Sequence, residues 1–216
     1  MPEKSETERQ HARAMLGDPH PLVAQLGSAS WEPFQLGATV LPPVRDFQGL
    51  RAFLNCYQGQ VLVPLELPAI VRAFHHASRY EVSELIELDR QLAREPSFAR
   101  FIDASRAVGR SQLRRLRPLR DQRLVQRYLK AVDQGQAHGC HHLVYGVVLA
   151  IFSLPLRQGL LSYSRQTFQG FIHSAAGSLA LPETACDLLL EDLSVGLPKH
   201  VASVLADSPT TKLLVC

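Results

Sequence analysis

The chain has 216 residues and a mass of 24.0 kDa, with 46% hydrophobic and 20% charged residues. That fits one ordinary domain able to close a core, and it excludes a disordered, collagen-like or disulfide-stapled chain. The net charge of +3, from 23 Lys and Arg against 20 Asp and Glu, is too small by itself to mark a nucleic-acid binder.

The opening segment 1–20 is polar, charged and without the apolar stretch of a signal peptide, so it reads as a flexible lead. Cytoplasmic location is expected. Residues 21–207 read as one domain, and 208–216 as a C-terminal tail. From Leu22 to Pro43 prolines, Gly and Ser interrupt any period, which predicts a short helix followed by loop. Asp46 is a plausible N-cap for a helix with Phe47, Leu50, Phe53, Leu54 and Tyr57 on one face. Alternation around Gln60–Leu65 is the nearest thing to a strand, and it is too short to count as one.

Helical spacing returns over Leu65–Ser78, where Pro68 suits a first turn, and over Glu81–Arg94. Pro96 and Ser97 break the chain, and Ser97 can cap a long helix to Arg117 that Pro118 ends. Asp121–Asp133, His141–Ser153, Leu156–Leu179, Glu183–Leu193 and Leu197–Ala206 follow with the same period. The longest apolar stretch, Leu143–Leu156, falls short of the roughly 20 residues of a membrane span and predicts a buried helix. The expected fold is all-α, a single-domain bundle of about eight helices. Four scattered cysteines, Cys56, Cys140, Cys186 and Cys216, form no CxxC pair and read as reduced thiols.

Two constellations carry chemistry. Between Phe98 and Lys130 stand Arg100, Arg106, Arg110, Arg114, Arg115, Arg117, Arg120, Arg123, Arg127 and Lys130, against only Asp103 and Asp121. Like charges four residues apart repel on a helix by a few tenths of a kcal/mol. A face that keeps them suits an acidic protein surface. The alternatives are a bare solvated face, or phosphate tracking by the Arg106–Lys130 strip, which lacks the interleaved aromatics of a nucleic-acid binder.

The second constellation, His138-Gly139-Cys140-His141-His142, holds imidazole and thiol ligand types for zinc or nickel. It lacks any standard metal spacing, and a helix start with one packed histidine explains it as well. His75-His76 is a weaker pair of the same kind. No nucleophile elbow, triad signature or phosphate loop is present, so neither catalytic residues nor a cofactor are expected.

Taken in order, several segments resemble one known family. They are Glu87-Leu88-Asp89-x-x-Leu92, then Ala104-Ser105-Arg106-x-x-Gly109-Arg110-x-x-Leu113, then His141-His142-Leu143-Val144-Tyr145-Gly146, then Tyr163 and Ser174-Ala175-Ala176. This succession is similar to the urease accessory protein UreF family, over roughly residues 34–195. Three of the family's features are not legible: its N-terminal Gly/Ser motif, the arginine stretch after Ser-Ala-Ala, and its basic C-terminal tail.

The resemblance implies a UreF-like all-α fold and a non-enzymatic, homodimeric adaptor for nickel insertion into urease. It would bind the accessory protein UreD (also called UreH), the GTPase UreG and apo-urease. It points to Ser105, Arg106, Gly109, Arg110, His141, His142 and Gly146 as partner-binding positions. A small metal-binding protein using His138–His142 is the competing reading, and a nucleic-acid binder using the basic strip is another.

Overall fold

A computed structural model describes residues 34–36, 39–96 and 102–207. It opens on two short antiparallel strands, β1 (Phe34–Leu36) and β2 (Thr39–Leu41), with Phe34 opposite Leu41. Nine α-helices follow among the described residues: α1 (Phe47–Tyr57), α2 (Leu67–Ser78), α3 (Val82–Ala93), α4 (Ile102–Arg115), α5 (Arg123–Asp133), α6 (His141–Ile151), α7 (Leu156–Leu179), α8 (Glu183–Val195) and α9 (Leu197–Ala206). A π-helical segment, Gln58–Glu66, joins α1 to α2 without a break.

The all-α expectation holds, with two local corrections. The hairpin stands where loop was expected, and the alternation at 60–65 belongs to the π segment rather than to a strand. The Ser97 cap and the proposed start of the long helix lie outside the described residues, as do 1–20 and 208–216.

Local signals explain the helix ends. The Asp46 carboxylate accepts the Gly49 N–H at 2.7 Å, capping α1. Pro68 sits in the first turn of α2, where its missing N–H costs nothing.

Three helices end with a residue in the left-handed region. Tyr80 (φ 59°) follows α2, Ser153 (φ 52°) follows α6 and Ala180 (φ 48°) follows α7. Each is followed by a backbone bond spanning five residues: Glu81 N–H to the His76 carbonyl, Leu154 to Leu149 and Leu181 to Ala176. These are Schellman closures that normally carry glycine.

Two apolar clusters form the interior, and α2 and α6 run between them. Leu67, Ile70 and Val71 of α2, with Tyr145 and Leu149 of α6, face a core built from α1, the π segment, α7, α8 and α9 around Phe53, Tyr57, Phe168 and Phe171. Ala69, Ala73 and Ala77 of α2, with Leu143, Val144, Val147 and Val148 of α6, face a second core shared with α3, α4 and α5. Every residue of α6 from His141 to Leu149 is buried, as a helix apolar all round must be. Gly146 lets the two central helices meet, because a Cβ there would stand 2.5 Å from the Ile70 carbonyl oxygen.

The π segment solves a problem of rotation. Tyr57 and Glu66 are nine residues apart, about two and a half turns of α-helix, which would put them on opposite faces. The wider i→i+5 winding absorbs the difference. Both side chains turn into the core, where the Tyr57 hydroxyl donates to the Glu66 carboxylate at 2.7 Å.

Candidate functional site

Where α4 crosses the start of α6, small residues make the contact. A Cβ on Gly109 would overlap the Gly139 carbonyl oxygen, so only glycine admits this crossing. Gly139 itself has φ 72°, a conformation that glycine adopts without strain. One turn before Gly109, Ser105 is fully buried, and its hydroxyl oxygen accepts the His141 backbone N–H at 3.2 Å.

From Ser105 a chain of polar contacts runs through the interior. Ser105 Oγ lies 3.1 Å from His141 Nδ1, and His141 Nε2 lies 2.9 Å from the Tyr163 hydroxyl. Tyr163 donates to Glu66 at 3.3 Å, the carboxylate that also receives Tyr57. All donors match if Ser105 donates to Nδ1 and His141 carries its proton on Nε2. His142 lies beside this chain, with Nε2 3.9 Å from Glu66 Oε1. Burial, reinforced by the Glu66 charge, holds the Tyr57 and Tyr163 phenols well above their ordinary titration range, so they remain donors.

A second buried carboxylate, Asp89 of α3, builds the loop that leads into α6. It accepts the backbone N–H groups of His138 and Gly139 at 2.7 Å each and of Cys140 at 3.2 Å, and the Tyr128 hydroxyl at 3.0 Å. Arg110 Nε adds a bond to the His138 carbonyl at 3.3 Å, and Arg90 Nε one to Gln136 O at 2.8 Å. Three consecutive N–H groups aimed at one carboxylate make a nest, and here the anion is supplied from within.

Five of the seven positions picked from the sequence, Ser105, Gly109, His141, His142 and Gly146, are therefore interior. In this fold their side chains set how α4, α6 and α2 pack. Arg106 and Arg110 are half-buried, and Arg106 pairs with Asp103 at 3.2 Å. Asp89, which sits inside the recognised Glu-Leu-Asp motif, was not picked, although a buried aspartate closing such a motif is a loop-holder by chemistry.

The metal reading finds no support in this geometry. Both His141 nitrogens are engaged by Ser105 and Tyr163. Burial, with Asp89 beside it, pushes the Cys140 thiol well up, so it stands protonated here. No group of three or more His, Cys, Asp and Glu able to hold an ion occurs among the described residues. Cys56, Cys140 and Cys186 are free thiols, as expected.

What reaches the surface is the basic face. Arg114, Arg115, Arg117, Arg120, Arg123, Arg127 and Lys130 are exposed on the end of α4, the following turn and α5. Over 102–133, nine cations stand against Asp103, Asp121 and Asp133. The turn is fixed by Gln126 Nε2, which donates to the carbonyls of Arg117 (3.1 Å) and Leu119 (3.0 Å), and by an Arg117–Asp133 ion pair at 3.1 Å. Tyr128, the aromatic of α5, is buried against Asp89 and cannot stack on a base. On another side of the chain α8 exposes Glu183, Asp187, Glu191 and Asp192, of which Glu191 pairs with Arg165 and Asp192 with Arg51. Among the described residues no helix is long and apolar enough to cross a membrane.

Comparison with curated proteins finds no match. The UreF family model matches residues 44–194, a span holding both buried carboxylates, the α4–α6 crossing and the whole α4–α5 basic face. The chain belongs to the urease accessory protein UreF family.

Proposed function

We propose that this chain is a non-enzymatic adaptor in urease maturation, a homodimer that binds UreD/UreH and recruits the GTPase UreG so that nickel reaches apo-urease. The observation that carries this reading, beside family membership, is the division of labour in the α4 helix. Its inner side is committed to packing, and the arginines beyond it form an exposed cationic face. A guanidinium group can pair with a carboxylate bidentately, which suits an exposed arginine face to protein docking.

On this reading Arg106 and Arg110 are contact residues at the edge of the face. Ser105, Gly109, His141, His142 and Gly146 act on partners by holding that face in shape. Preference for one nucleotide state of UreG would couple GTP hydrolysis to metal transfer, since an adaptor shifts an equilibrium only by binding its two states unequally.

Co-expression with UreD/UreH, UreG and apo-urease tests the proposal. The chain should co-purify with at least one of them, and deleting its gene should abolish urease activity. Retention of none, with urease activity intact after deletion, rejects the reading.

A further inference from the structure

A groove of about 540 Å³ opens between the α2–α3 turn, the start of α5 and the end of α6. Its walls are largely apolar, with Phe74, Ala77, Leu124, Ile151 and Leu154, and Gln122 stands at the α5 end. It is an open groove rather than an enclosed cavity.

Two features make this groove more than a packing fault. Tyr80 and Ser153, two of the three non-glycine residues held at positive φ among the described residues, both line it. Tyr80 is also 67% exposed. A bulky residue at the left-handed position of a helix end is strained where glycine would not be. The fold recovers little of that cost by burying so exposed a ring. Strain at the helix end and an open ring together leave the Tyr80 side chain free to make a contact outside the fold.

Charge supplies the second feature. Gln122 and Leu124 of the groove alternate in sequence with Arg123 and follow Arg120, both arginines exposed and part of the cationic face. The α5 end of the groove is therefore flanked in sequence by two exposed arginines.

We propose that the groove is the docking site for an acidic segment of a protein partner. The segment places an apolar side chain against Tyr80 and its carboxylates against Arg120 and Arg123. This rests on the adaptor reading and gives it a place on the molecule. Hot spots of this kind, an aromatic beside a desolvated pocket with arginine at the margin, concentrate binding energy in few residues.

The test offers recombinant UreD/UreH, UreG and apo-urease separately to the immobilised full chain. Tyr80→Gly removes the ring while relieving the backbone. It is expected to weaken retention of one partner about tenfold or more without lowering the melting temperature. The Arg120→Glu/Arg123→Glu double variant is expected to weaken the same partner, with the deficit shrinking as salt rises. Ala180→Gly, the same kind of helix-end change away from the groove, should bind as the parent does.

Unchanged binding by both groove variants overturns the groove while leaving the adaptor reading intact. Failure of the parent chain to retain any of the three, with urease activity intact after deletion of its gene, overturns both. A shift in oligomeric state for Tyr80→Gly, read by gel filtration, would assign the groove to a second copy of this chain and so overturn an acidic partner.

Discussion

The inner and outer sides of the α4 region are built on opposite terms. Inside, contacts tolerate no change of shape: a glycine against a carbonyl, a serine between a backbone N–H and an imidazole, a carboxylate gathering three N–H groups and a phenol. Outside, long cationic side chains stand in solvent, and their arrangement matters as a field more than as a fit. Substitution should therefore be read by stability on the inner side and by binding on the outer.

The sharpest way to break this contrast is Gly109→Ala. Its Cβ would meet backbone rather than a side chain able to yield, so a loss of about 3–5 kcal/mol, or failure to fold, is expected in chemical denaturation. Asp89→Asn comes next. It removes the charge that four donors share and turns an N–H₂ toward at least one of them, for a loss of about 2–3 kcal/mol. A change under 0.5 kcal/mol in either would show that the inner side is not rigid.

Ala180→Gly should move the other way, raising stability by about 1 kcal/mol as the left-handed residue loses its Cβ. On the outer side, Arg114→Glu and Arg127→Glu should each shift stability by no more than about 0.5 kcal/mol, because exposed charges contribute little.

The subtlest effect expected is on pH. Burial first, then the Arg106 and Arg110 charges, hold His138 below its ordinary value, though Asp89 opposes them. Burial, Arg79 and His76 do the same to His75. The unfolded chain thus takes up protons before the native one, so stability is full above about pH 6.5 and declines as pH falls below it. Melting curves between pH 7 and 5 measure this, and His138→Gln should flatten the slope.

The helices were readable because their signals are local. Asp46, Pro68 and Pro118 act within a few residues of themselves, and the starts of α1 and α2 and the end of α4 follow. The motif order was readable too, since a close helix crossing needs its glycine and its small neighbours at fixed spacing. What the residues could not show is which way a motif points. Ser105, Gly109 and His141 meet residues 22 to 36 positions away in the same chain: His141 for Ser105, Gly139 for Gly109 and Tyr163 for His141.

Asp89 was passed over for the same reason, as its donors are about 40 to 50 residues distant. The hairpin was missed because Pro42, Pro43 and the glycines nearby signal loop more strongly than three-residue strands signal pairing. The π segment was missed because no sequence period reports a winding that depends on its ends being held.

That winding has a consequence for the length of the chain. Between Gln58 and Glu66 each turn takes up more residues than an α-helix would use. Deleting one residue there would favour a tighter winding, although Pro64 would still have no N–H to bond within it. The same deletion would swing α2 and all that follows around the helix axis, carrying the Glu66 carboxylate away from the two phenols that hold it. Most loops tolerate a lost residue because they need only reach. This stretch has its residue count set by angle, and the loosest-wound part of the molecule is one that cannot be shortened.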